Sequence, residues 1–284
     1  MDAKEITKFV ETQLKLTKPL RDRMDSDFTK LWQPTGFTIP ASKGKYRTVT
    51  SNRARVWADK VSGELNSADL HLSLPLTEEE KQERKDMSMT ERCAYGLLSM
   101  ANDNLREQLQ PSIQSQMSFH APMRGWVSLM VWLFEEDGEL HVDVPVFDVF
   151  STYWLADTKG ISRIANVRHI SLSEAEEKYE VKPKKISDKE DAVQVIRYAD
   201  REELKVIVGG EESPKFTQTN WCKYVPALVI PVGSTPYVQS ILSPGTIKHV
   251  GESCFARVRE VVPILSEVLS YYLTATALGT HTPL

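Results

Sequence analysis

Residues 124–150 read Arg-Gly-Trp-Val-Ser-Leu-Met-Val-Trp-Leu-Phe-Glu-Glu-Asp-Gly-Glu-Leu-His-Val-Asp-Val-Pro-Val-Phe-Asp-Val-Phe. The run 127–134 is rich in β-branched and aromatic residues, which favour a pleated, half-buried backbone. Asp137-Gly138 follows, a pair suited to the positive φ angles of a two-residue hairpin turn. Beyond it Leu140, Val142 and Val144 alternate with His141 and Asp143, the period of a strand with one buried face. Strand, tight turn and strand predict a β-hairpin here.

The same reasoning extends towards the C-terminus. Residues 161–170 form another strand-like run, and Ser173 with Glu176 has capping-box spacing for a short helix ending near Tyr179. A second hairpin is expected over 193–208, turning at 200–203. Residues 221–232 read as a further strand, and Pro226 and Pro231 mark it as an edge or an irregular end. After a Pro, Ser and Gly loop at 233–245, the residues Phe255, Val258, Val262, Leu265, Leu269, Tyr272 and Thr276 step by three and four. They form the seam of a long helix, widened by Val261, Ile264 and Val268 and expected to be buried on more than one side, Leu265 and Leu269 included. Pro263 either kinks this helix or marks its start, and Gly279 is placed to end it.

Towards the N-terminus, Thr77 and Glu80 form a capping box opening a helical pattern that runs to Gln110. Its stripe is Ala94, Leu97, Leu98, Ala101, Leu105 and Leu109, closed by Pro111. Residues 32–46, with Pro34, Gly36, Pro40 and Gly44, read as a loop. Ile6, Phe9, Val10, Gln13 and Leu14 share one helix face before Pro19. The fold class is therefore α+β: N-terminal helices, antiparallel β hairpins with a short helix, then a long C-terminal helix. The expected division is an N-terminal helix and irregular segment at 1–75, an α+β domain at 76–250 and the long helix at 251–284.

Composition narrows the function. Among 284 residues, Lys and Arg number 35 against 39 Asp and Glu, a net charge of −4. A protein that grips DNA by neutralising phosphates needs a basic face, and this balance does not supply one. The local basic groups, Arg53 with Arg55 and the stretch Lys182 to Lys185, read as solvated faces. Cys93, Cys222 and Cys254 are odd in number and far apart, against a disulfide framework and for a reducing compartment. The first residues lack the basic-then-apolar build of a signal peptide, and no apolar run approaches a membrane span. A soluble chain made in the cytosol is expected.

Catalytic patterns are sparse. No Gly-x-x-x-x-Gly-Lys-Ser/Thr loop or Gly-x-Gly-x-x-Gly turn is present to cradle phosphates. Histidines 71, 120, 141, 169, 249 and 281 are never three or four apart, and there is no Cys-x-x-Cys. Gly251-Glu-Ser253-Cys-Phe255 approaches a nucleophile elbow, but Phe255 stands where the second small residue belongs, so a helix-opening Gly and Ser pair is expected. Cys254 with His249 makes a weaker thiol pair. Glu135-Glu136-Asp137 falls on the hairpin turn, and His141 and Asp143 on its polar face, where solvent explains them; Asp148 and Asp157 carry no further signal. Trp126, Trp132, Trp154 and Trp221 read as core or interface anchors. No catalytic, cofactor-binding or metal residues are expected, and no cofactor; the chain is read as a non-enzyme.

Taken in order, these pieces resemble a known family. The run 124–134, the Asp-Gly turn, Val142-Asp-Val-Pro-Val-Phe-Asp-Val-Phe150 and the aromatic stretch Tyr153-Trp-Leu-Ala-Asp157 look like the wing of the portal, or head-to-tail connector, of tailed bacteriophages. Residues 164–170 with Arg168, leading into Ser171-Leu-Ser-Glu-Ala-Glu-Glu-Lys-Tyr179, are similar to that family's basic strand and following helix. His249-Val-Gly-Glu-Ser-Cys-Phe255 opens a helix that ends before Thr282-Pro283-Leu284, as in portals of short-tailed phages. The likeness spans about 75–284.

The resemblance implies a structural subunit of a ring, typically twelve copies, at one capsid vertex of the virion, assembled in the host cytoplasm. Double-stranded DNA passes through the channel without sequence specificity during packaging and ejection. A separate terminase ATPase, the capsid and tail or adaptor proteins dock on the ring. Rings close through head-to-tail contacts, for which the N-terminal helix, the helix from Phe255 and the aromatic hairpin are the candidate surfaces. Portal chains continue through clip, second stem helix and crown segments, so a truncated portal is expected: a monomer or small oligomer with exposed apolar surface where the continuing segments pack. The alternatives are another virion adaptor or capsid-associated protein, or an enzyme with a dispersed site.

Overall fold

A computed structural model of the chain describes residues 1–32, 49–69, 84–136, 138–179, 181, 192–232 and 250–279. The fold class is α+β, with helices and antiparallel strands. The described residues belong to two compact units, each assembled from separate stretches: Met1–Lys15, Ser67–Met117 and Val127–Val229 in the first, and Leu16–Asn66, Ser118–Trp126 and Ile230–Leu284 in the second. The capping box at Thr77 and Glu80, Asp137 and the side chains of Glu136 and Glu139 lie outside the described residues, as do most of the 32–46 loop and the 233–245 loop. So do Lys182 to Lys185, His71, His249, His281 and Thr282-Pro283-Leu284.

In the first unit a six-stranded antiparallel sheet runs β10-β8-β7-β6-β5, with β9 beside β8. Its strands are β5 (Thr152–Asp157), β6 (Gly160–Ser171), β7 (Ala192–Asp200), β8 (Glu203–Val208), β9 (Glu211–Glu212) and β10 (Gln218–Thr219). The predicted hairpin over 193–208 is β7 with β8, paired from Val195↔Val208 to Ala199↔Leu204. Alternation buries both faces of β7. Ile196 and Tyr198 pack with Ile6, Phe9 and Val10 of α1 (Ala3–Leu16), while Val193, Val195 and Ala199 join a cluster with Trp132, Ile164 and Tyr179.

The expected strand at 127–134 is divided. β1 (Trp126–Met130) belongs to a three-stranded sheet, β11-β1-β4, with β4 at Val146–Phe147 and β11 at Ala227–Pro231. β2 (Trp132–Glu136) forms a separate two-stranded sheet with β3 (Glu139–Asp143), in register from Trp132↔Asp143 to Glu136↔Glu139. The break falls at Val131, whose N–H donates to the Pro226 carbonyl at 2.8 Å. β11 is an edge strand and shorter than the 221–232 run, as its two prolines demand.

Helix α4 (Arg84–Glu107) buries Ala101 and Leu105 against Val142 and Val144 and against Ile113 of α5 (Ile113–Arg124). Leu109 leaves the expected stripe. It lies past the helix end at φ 56° and 95% exposed, while the Gln110 N–H closes on the Leu105 carbonyl at 2.8 Å. Helix α6 (Leu172–Tyr179) is capped two residues earlier than predicted: the Ser171 hydroxyl, not that of Ser173, accepts from the Glu174 N–H at 3.2 Å.

The second unit holds α2 (Lys18–Asp27), where Pro19 opens the helix as well as ending α1, then a π-helical turn at Phe28–Trp32, then α3 (Arg53–Asn66) and α7 (Val261–Gly279). Leu31, Ala54, Ala58, Met123 and Phe255 make its core. Phe255 and Val258 lie in turns that precede α7, and Pro263 falls in the helix's first turn, where a missing N–H breaks no helical bond.

Leu265 and Leu269 are a correction: they are 39% and 37% exposed. The buried face of α7 is Ser266, Ser270 and Thr274.

Candidate functional site

The surface of α7 follows from that inversion. Residues 266, 270 and 274 are four apart and share one helix face. Each hydroxyl donates to the carbonyl four residues back, at 3.0, 2.7 and 2.8 Å, so burial leaves no donor unmet. Small side chains let the backbone of residues 49–51 lie close. The Val49 N–H donates to Ser270 Oγ at 2.9 Å and the Ser51 N–H to Ser266 Oγ at 3.2 Å. The large apolar side chains are left on the remaining arc, where Ile264, Val268 and Tyr272 are 60%, 57% and 68% exposed. Together with Val261 they form a continuous apolar stripe, the kind of exposed surface that marks a protein–protein contact.

A buried charge network anchors the segment that leads into α7. The Arg23 guanidinium donates to the Val250 and Gly251 carbonyls at 2.8–3.2 Å and stands 3.5 Å from Glu252. Asp27 accepts from Ser253 Oγ at 2.6 Å and from Arg259 at 2.6 and 2.9 Å; Arg259 also reaches Glu252 at 2.7 Å. The hydrogen bond to Asp27 raises the Arg259 pKa further, ahead of the opposing effect of burial. Two arginines thus balance two carboxylates. Gly251 has φ +59°, and a Cβ there would lie 2.2 Å from Trp126 Nε1, which explains the glycine without any nucleophile.

Ser253 of the near-elbow motif therefore spends its hydroxyl on Asp27, itself ion-paired. Burial, with Asp27 nearby, pushes the Cys254 thiol up to about 12. The Ser253 hydroxyl ties the α7 entry to α2, and Cys254 packs against the cluster around Phe255.

The hairpin residues behave differently from a solvated polar face. The Asp143 carboxylate accepts from Arg197 at 2.9 Å, and His141 stacks on Phe134 with centroids 5.4 Å apart. Both line a cavity of about 330 Å³ with Trp132, Tyr179 and Phe216. Burial lowers the Arg197 pKa most, yet Asp143 and Tyr179 outweigh it and the net shift is upward. Asp148 caps a short turn through the Phe150 N–H, and Asp157 pairs with Arg201 at 2.7 Å. Arg55 is held by Asp59 and lies over the Trp32 ring at 4.9 Å.

Trp126 and Trp132 are buried, Trp154 is half-buried, and Trp221 is 88% exposed. Trp221 borders an apolar groove of about 580 Å³ beside β2. Among the described residues the three cysteines are free, no group of His, Cys, Asp and Glu is arranged to hold a metal, and no helix is long and apolar enough to cross a membrane.

No protein-family description matches the chain, and no curated protein matches it.

Proposed function

We propose that the chain is a structural, non-enzymatic subunit of a phage portal ring, the channel through which viral DNA is packaged and ejected. It would sit at the portal vertex of the virion, beside further copies of itself and against terminase, capsid and tail or adaptor proteins. The observation that carries this reading is the outward-facing apolar stripe of α7, Ile264, Val268 and Tyr272, which suits one of the two patches a head-to-tail contact between copies requires. The order of elements supports it: a helix, a strand, an aromatic hairpin, an antiparallel sheet with one short helix, then α7, as in the wing-to-stem passage of portals. The net charge of −4 suits a channel wall along which DNA slides without tight phosphate contact.

The test is mass measurement over a range of chain concentrations. Association that grows with concentration, and that is abolished by Ile264→Ser with Val268→Ser and Tyr272→Ser, is the expected result. Association that the triple variant leaves unchanged overturns the proposal, as does a constant monomer mass together with no binding of an apolar-surface dye that the triple variant reduces.

A further inference from the structure

We infer that the groove beside β2 is a docking site for an extended, apolar segment of a different protein, added as a strand to the free edge of the hairpin. The register of β2 with β3 shows which backbone groups are free. Leu133 pairs with Val142 and Glu135 with Leu140. The Leu133 carbonyl accepts from Gln218 Nε2 at 2.8 Å, and the Val142 carbonyl accepts from Asn104 Nδ2 at 3.0 Å. Both carbonyls therefore point away from the hairpin, so these are the non-hydrogen-bonded pairs of the ladder. By the alternation of this ladder the Leu133 N–H and the Glu135 N–H and C=O face outward on the groove side, while the Leu133 C=O is already held by Gln218.

The two edges are managed differently. Helix α4 packs along β3 and closes that side. Among the described residues β2 pairs with β3 alone, and its outer edge meets only the side-chain amide of Gln218. An uncovered edge of this kind is a template for another strand.

The walls give the chemistry of the occupant. Leu133, Leu140, Trp221, Tyr224 and Leu228 border the groove and are exposed, and Glu135 is the one charged residue among the described lining. An extended segment with alternating apolar side chains and a Lys or Arg opposite Glu135 is complementary to it. A helix such as α7 has no free backbone groups to meet the edge. Nor is a second copy's sheet suited: β5 is interrupted by a register shift at Leu155/Ala156, β4, β9 and β10 have two residues each, β11 forms a wall of this same groove, and a second β2 brings another Glu135 in place of a base. The inference does not rest on the portal reading.

The experiment titrates the full chain into a fluorescent synthetic peptide of alternating Val and Thr with one central Lys, read by anisotropy. Saturable binding is expected, weakened by about tenfold or more when the peptide amides on the pairing side are N-methylated, because main-chain hydrogen bonds carry strand addition. A similar loss is expected with Leu133→Asp and, independently, Trp221→Ser; both side chains are exposed, and unchanged melting of each variant confirms folding. Absence of saturable binding, or binding indifferent to N-methylation, overturns the inference. So does loss of the chain's own association in Leu133→Asp, which would assign the groove to contact between copies. Failure of the α7 variants to change association leaves this result untouched, so the two proposals fail separately.

Discussion

Asp27 is 1% exposed and accepts three hydrogen bonds, one from Ser253 and two from Arg259. Removing one member of a buried ionic network strands the others, at a cost of about 3–5 kcal/mol. Asp27→Ala is therefore expected to lower stability by that order in denaturant unfolding, and a change under about 1 kcal/mol would show the network to be dispensable. Cys254 supplies a second test at this scale. Its thiol value is raised, so its protonated form is the one the fold favours. That contribution is present below the thiol's unfolded value and is lost as pH rises towards the folded value of about 12. At about pH 8, Cys93 and Cys222 are expected to alkylate in the native protein while Cys254 resists until denaturation. Peptide mass spectrometry distinguishes this from equal labelling, which would contradict the burial.

At the scale of elements, α7 makes the sharpest distinction. Leu265→Ala and Leu269→Ala are expected to cost about 1 kcal/mol or less, well below the roughly 2–5 kcal/mol of a buried leucine. Ser270→Leu, at a fully buried position against residue 49, is expected to cost about 1–3 kcal/mol through overpacking. Thermal unfolding of the three variants checks the order; the reverse order would return the leucines to the core. The sequence periodicity identified this helix but not its buried arc. Stepping by three and four fixes which residues share a face, and it says nothing of which face meets the protein when apolar residues occupy most of the circumference. The Ser and Thr stripe was overlooked because hydroxyls satisfied within their own helix can be buried. The pairing of β2 with β3 was legible because the signal for it is local. The break at Val131 was not, since it depends on Pro226, nearly a hundred residues away. At α6 the sequence offers Ser171-x-x-Glu174 and Ser173-x-x-Glu176 equally, and the burial of Ala175 and Tyr179 goes with the first. Helices α2, α3 and α5 carried no seam strong enough to be read, with only Ala54 and Ala58 buried along α3.

For the whole molecule, the three candidate surfaces differ in what they present. The aromatic hairpin and the C-terminal helix were both singled out from sequence, yet their roles separate in the structure: α7 offers an apolar face, and β2 offers a backbone edge. The N-terminal helix, the third candidate, spends Ile6, Phe9 and Val10 on the sheet and is thereby committed to the core. A ring of identical copies needs a patch on one copy and a different, complementary patch on the next. The measurement that bears most directly on this is negative-stain microscopy of the purified chain at concentrations where its mass has risen. Closed rings or curved arcs of ring segments of uniform curvature, lost in the Ile264, Val268 and Tyr272 serine variant, are the expected result. Open filaments or irregular aggregates, or assemblies that the serine variant leaves unchanged, would contradict a portal subunit.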